Sequence, residues 1–219
     1  MKLLRAIAVA CATACLTLCL AGCAGESPSK VVSNALDLMK KADYVTLQQQ
    51  YGVSLFGSEN GGETPSVLLE DFDGMTLAEK AFKDELIAKI SDFDYNIASE
   101  SIEGDKATVT VVLKTHDLSE VVSDTLGGYM QWAFSIALQR GLSGGVIGEL
   151  EAANKLNELF AQNIAASTDK TVNSNLTVNL SKVDDKWKIQ PLSDEAHNAL
   201  VGGMLNQLKV LAAVLSQQQ

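Results

Sequence analysis

The stretch YNIASESIEGDKATVTVVLKTHDL, residues 95–118, decides the fold. Tyr95 and Ile97 alternate with Asn96 and Ala98. After Glu103-Gly104-Asp105, Ala107, Val109, Val111 and Leu113 alternate with Thr108, Thr110 and Lys114. Two arms of period two around a turn describe a β-hairpin with one buried face. The stretch TVNSNLTVNLSKVDDKWKI, residues 171–189, has the same form. Val172, Leu176, Val178 and Leu180 supply the apolar face, Val183-Asp184-Asp185-Lys186 the turn, and Trp187 and Ile189 the return. Pro191 ends it. These readings predict strands over residues 93–101, 106–116, 171–182 and 186–190.

Outward from the hairpins the period changes to that of a helix. Val32, Leu36, Met39 and Leu47 predict a helix over 31–50, as one piece or as two with a break near Ala42-Asp43. Thr76-Leu77-Ala78-Glu79 is a capping box, in which the hydroxyl and the carboxylate satisfy first-turn amides. It opens a helix over 76–91 with Phe82, Leu86 and Ile90 on one stripe. Asp117 can cap a helix over 118–140, the most apolar part of the chain after its N-terminus, with Gly127-Gly128 as a possible kink. Leu150, Leu156, Leu159, Phe160 and Ile164 mark another over 147–167. Ser193 caps a last helix over 193–216, with Asp194 and Glu195 favoured in its first turn by the helix dipole. Residues 52–65 and 141–148 are glycine-rich breaks, and 217–219 a polar tail. The expected class is α+β: a curved antiparallel sheet of about four strands, covered by helices, with a long helical insertion between the hairpins.

The N-terminus carries an address. Lys2 and Arg5 precede a charge-free apolar run over 6–20, too short for a typical span, and Leu20-Ala21-Gly22-Cys23 closes it. Leu-Ala-Gly-Cys resembles the lipobox of bacterial lipoproteins. That resemblance implies cleavage before Cys23 and a lipid on its thiol, which holds the protein to the cell membrane at its extracytoplasmic face. The organisation expected is a signal peptide over 1–22, a tether over 23–30 and one domain over 31–216. Cysteines stand at 11, 15, 19 and 23, so cleavage leaves only Cys23 and no disulfide. Removal of Lys2 and Arg5 takes the net charge from −10 to −12. An acidic surface of that size repels nucleic acid, which is excluded as a partner.

The order of helices and hairpins resembles the cone-shaped α+β fold of the nuclear transport factor 2-like and cystatin-like superfamilies, and bacterial lipoprotein domains built on it. The resemblance rests on the two quoted stretches, and within them on Gly-Asp-Lys-Ala-Thr-Val and Asp-Asp-Lys-Trp-Lys-Ile. It implies a sheet wrapped around a helix, often with a pocket, for which Tyr95, His116, Trp132 and Trp187 are the candidate lining residues. The long section over 118–167 could fill or lid such a pocket. Some enzymes of this fold use a His–Asp set inside the cone, which would make His116 and Asp117 a base pair. The plainer reading is a strand-end histidine beside a helix cap.

No other motif commits the chain to a reaction. There is no Gly-x-Ser-x-Gly elbow. The Gly141-Leu142-Ser143-Gly144-Gly145 run lacks the Lys-Ser or Lys-Thr of a phosphate loop. Glu70, Asp71 and Asp73 lack the spacing of a calcium loop. No cofactor and no metal are expected. The expected role is non-enzymatic binding of a small ligand or an envelope partner by a lipid-anchored protein. A cell-envelope assembly role is the alternative, and an isomerase- or dehydratase-like enzyme a third.

Overall fold

Both hairpins form where the alternation places them. The computed structural model describes residues 25–53, 77–141 and 147–216. Among the described residues, β1 (Asp94–Glu103) and β2 (Lys106–His116) make the first hairpin, and β3 (Lys170–Val183) and β4 (Lys186–Ile189) the second. All neighbours are antiparallel in one sheet of order β1-β2-β3-β4. The long central pairing of β2 with β3 joins the two hairpins: Val109 faces Val178, and Val111 faces Leu176. Val109, Val111 and Leu113 are wholly buried, as are Leu176, Val178 and Leu180 within a few per cent. Each such side chain contributes roughly 1.5–3 kcal/mol by leaving water.

Helices cover that apolar face. α1 (Pro28–Lys40) buries Val31, Val32, Ala35, Leu36 and Met39 against β1, β2 and β4. α6 (Asp194–Leu200) lies on β3 and β2. The opposite face of the sheet is mostly polar; there Thr108 Oγ1 donates to Asn179 Oδ1 across the strands at 3.2 Å. α2 (Tyr44–Tyr51) packs on α1, and α3 (Leu77–Ser91) on the inserted section. The insertion is a pair of helices, α4 (Leu118–Gly141) and α5 (Glu149–Ala166), and α7 (Met204–Ser216) ends the described chain. The principal neighbours of α4 are α5 and α7, so it leads away from the strands instead of lying on them. The α+β class, the four antiparallel strands and the helical insertion are thus as the sequence implies.

Four local features differ or are sharpened. The first helix starts at Pro28, not Val31, so less of the tether is free. Ser27 Oγ accepts from Lys30 N at 3.2 Å, and Pro28 occupies the first helical turn, where its missing N–H costs nothing. The helix over 31–50 is broken in two: Ala42 has φ +55°, and Asp43 caps α2 through Thr46 N at 3.1 Å. The last helix is also two, because Gly202 and Gly203 take φ +56° and +83°. The break serves the start of α4: Gly202 O accepts from both Leu118 N and Ser119 N at 3.1 Å. Gly127-Gly128, by contrast, does not interrupt α4. An added Cβ on Gly128 would meet Leu159 at 3.3 Å, so that glycine admits α5. The expected signal peptide over 1–22, Cys23, most of the glycine-rich break expected over 52–65, the acidic residues Glu70, Asp71 and Asp73, and Thr76 lie outside the described residues.

Candidate functional site

The structure does not gather the four candidate residues into one pocket. Tyr95 is spent on structure. Its hydroxyl donates to Asp37 Oδ1 at 2.7 Å and to Ser33 O at 3.3 Å, which pins β1 to α1. Partial burial, and then the Asp37 carboxylate, raise its pKa, so it stays a neutral donor at ordinary pH.

His116 is 1 % exposed and does not pair with Asp117. Its Nε2 lies 2.8 Å from Asp92 Oδ2. Asp117 Oδ1 instead accepts from Ser119 Oγ at 2.6 Å and Glu120 N at 2.9 Å, as the cap of α4. The His116–Asp117 base pair drawn from the superfamily resemblance therefore has no geometric basis; the neighbouring carboxylate turns to the helix because four first-turn amides need acceptors. Asp92 is the residue that sequence reasoning missed. It also accepts from Lys170 Nζ at 2.8 Å, and Lys170 reaches Asp94 at 3.2 Å. The bond from Lys170 first, then that from His116, brings the Asp92 carboxyl down to about 2. The same carboxylate raises the pKa of Lys170. This set ties the start of β1 to the ends of β2 and β3. Its open side is formed by the Asp92 and Asp94 carboxylates, both already engaged by Lys170.

Trp132 stands on α4, its ring 5.5 Å from that of Tyr129. It edges a broad, shallow depression of about 660 Å³ between α4 and α5, with Leu150, Glu151, Asn154, Lys155 and Glu158. Arg140 closes one end by a two-bond pair with Glu151 at 2.8 Å.

Trp187 belongs to a narrower cleft of about 350 Å³. The end of α2 supplies Gln50 and Tyr51, the start of α1 Val31, and β4 Lys186, Trp187, Lys188 and Ile189; Gly25, Glu26 and Asp185 complete the rim. Because side chains of a strand alternate, Trp187 and Ile189 turn to the helices while Lys186 and Lys188 turn to the other face of the sheet. Lys182 lies 6.0 Å from the centre of the Trp187 ring, on the neighbouring strand. Asn34 donates to Glu26, fixing one carboxylate at the mouth. An aromatic floor with the Lys182 ammonium beside it and the Glu26 and Asp185 carboxylates at its rim suits a small mixed-charge ligand. Of its lining, only Trp187 was singled out by sequence. Gly25-Glu26, Tyr51 and Trp187 are far apart along the chain and meet only through the packing of α1, α2 and β4.

Among the described residues no group of three or more His, Cys, Asp or Glu is arranged to hold a metal ion, and no helix is long and apolar enough to cross a membrane. No protein-family model matches the chain, and no curated protein sequence does. Among solved structures, the chain is similar to a candidate lipoprotein, ycdA, of Bacillus subtilis subsp. subtilis str. 168, at 16% identity and a TM-score of 0.38. The similarity covers 76% of this chain and 44% of that one, so this chain spans under half the length of its neighbour.

Proposed function

We propose that this protein is exported, acylated at Cys23 and held by that lipid at the extracytoplasmic face of the cell membrane, where it binds a ligand in the Trp187 cleft without catalysing a reaction. Leu20-Ala21-Gly22-Cys23 supports the anchor. The observation that carries the binding role is the composition and position of the cleft. Gly25 and Glu26 form part of its rim. They follow Cys23 by two and three residues, which spans at most roughly 10 Å. A ligand bound there would sit beside the bilayer, among aromatic and charged side chains of both signs. Against an isomerase- or dehydratase-like activity stands the burial of His116 and its bond to Asp92.

The test uses full-length protein carrying Trp132→Phe, so that Trp187 is the only indole. Cells fed labelled palmitate are expected to label this chain and not its Cys23→Ser form, which should leave the membrane fraction. Peptidoglycan fragments, which carry amines, carboxylates and sugars, are the probe for the cleft. A saturable change in Trp187 emission is expected, weakened at least tenfold by Tyr51→Ala. Unchanged emission at millimolar fragment would remove the ligand role.

A further inference from the structure

The Trp187 ring already has an ammonium group beside it. Lys182 and Trp187 are register partners on β3 and β4, so both side chains stand on the sheet face that turns to the helices. Lys182 Nζ lies 6.0 Å from the ring centre and 3.6 Å from Asp185 Oδ1. The negative face of an indole attracts a cation, and a neighbouring carboxylate adds to that attraction. Yet the Lys182 side chain is 35% exposed and that of Asp185 99%. An ion pair so open to water is weak, so Lys182 swings out into solvent at small cost. The other groups of the cleft fit an amine on a short carbon chain. Glu26 stands at the rim, its carboxylate fixed by the bond from Asn34 Nδ2. Tyr51 adds a second ring, and Val31 and Ile189 an apolar wall. Lys186 and Lys188 turn to the opposite face of the sheet, which leaves Lys182 as the ammonium that a ligand has to displace.

We propose that the cleft takes the primary ammonium group of a small ligand, which displaces Lys182 from the Trp187 ring and is held by that ring and the carboxylates of Glu26 and Asp185. This names the chemistry of the ligand and rests on the binding role proposed for the cleft. The sign of the charge follows from the lining. An indole face and two carboxylates attract a cation and repel an anion, and the net charge of −10 acts the same way at longer range. The kind of cation follows from Lys182, whose own primary ammonium rests against the same ring and the Asp185 carboxylate. A primary ammonium has three N–H donors for carboxylate oxygens, whereas a quaternary one has none. The cleft, at about 350 Å³, has room for a larger molecule behind that group. Two sources present it: the ethanolamine headgroup of a membrane lipid, within reach because Glu26 follows the proposed anchor Cys23 by three residues, and a free amine.

The experiment uses the full chain carrying Trp132→Phe, with Trp187 emission as the readout. The probe is n-butylammonium chloride, the counterpart of a lysine side chain. A saturable change at millimolar concentration is expected. n-Butanol, its neutral counterpart, and sodium chloride at matched concentration should give less than roughly a tenth of that change. Lys182→Met keeps the stem and removes the competing ammonium, and should tighten butylammonium by roughly threefold. Glu26→Gln and Asp185→Asn should each weaken it by roughly threefold. Neither should move the melting temperature much: glutamine still accepts from Asn34, and asparagine tolerates the left-handed backbone of Asp185. Equal responses to butylammonium and butanol overturn the proposal. Lys182→Met binding that is unchanged or weaker does so too, as does binding indifferent to both carboxylate variants. Acylated protein in vesicles separates the sources. A change in phosphatidylglycerol vesicles only when phosphatidylethanolamine is added, reversed by butylammonium, assigns the bound amine to the headgroup; butylammonium binding with the same emission in both vesicles assigns it to a free amine. A response to peptidoglycan fragments without one to butylammonium removes the ammonium reading alone, whereas no response to either removes the binding role with it.

Discussion

Gly202 shows how one residue can hold two elements together. Its φ is +56°, and a Cβ there would sit 2.1 Å from His116 O, a backbone atom that cannot move aside cheaply. Gly202→Ala is expected to cost about 2–4 kcal/mol, through the strained φ and the displaced β2–α4 junction. Thermal unfolding of the soluble domain checks it, with a fall in Tm of roughly 5–15 °C. Asp92 gives a pH signature. Its carboxyl titrates at about 2 in the folded chain against about 3.9 unfolded. A lowered folded value means that the stabilisation is complete above pH 4 and is lost as pH falls through 2. The side chain is 56% exposed, so screening keeps the contribution to about 1 kcal/mol or less. Asp92→Asn should flatten the stability curve between pH 4 and 2 in denaturant melts and leave its slope above pH 5 unchanged. Neither residue was legible in advance: Gly202 sits inside a sequence that reads as one continuous helix. Asp92 is 24 residues from His116, and their meeting depends on a register shift near Ala98. Without that shift Phe93, not Asp92, would continue the hairpin opposite His116.

The hairpins were the readable elements, and their turns explain why. Gly104 takes φ +62° at the first central position of a two-residue turn, which glycine alone adopts freely. In the second hairpin Asp184 and Asp185 both have positive φ, +49° and +58°. Aspartate tolerates this better than most residues, and Asn-Gly better still. Replacing Asp184-Asp185 by Asn-Gly is expected to stabilise the domain by roughly 0.5–1 kcal/mol, seen as a rise in Tm of a few degrees. No rise would mean that Asp185 contributes more through its place at the tether than its backbone costs. Helix breaks were harder to read: near Ala42 the periodicity fits one helix or two, and at Gly202 it runs through as one. Only the left-handed φ at those residues ends the helix.

For the whole molecule, charge and architecture act together. The apolar sheet face is covered by α1 and α6, while α4 and α5, which connect the far ends of β2 and β3, form with α7 a second body of helices. An acidic excess spread over both parts works against compactness. Raising ionic strength from about 20 to 300 mM shortens the Debye length from roughly 20 to 6 Å and should raise Tm by a few degrees. A fall in Tm with salt would show that local pairs such as Lys170 with Asp92 and Asp94 outweigh the net repulsion.

The sequence by itself determined the fold class. Alternation and turn residues act over a few neighbours, and a buried sheet face tolerates no slip of register. It also carries the Leu20-Ala21-Gly22-Cys23 run on which the proposed lipidation rests, which is read from adjacent residues. Tertiary structure alone decided what His116 bonds to and which aromatic residues reach a cleft. Those depend on residues distant in sequence, brought together by a one-residue shift in β1, two left-handed glycines and the packing of α1 and α2 beside β4. No local pattern encodes these, because each is set by packing between elements.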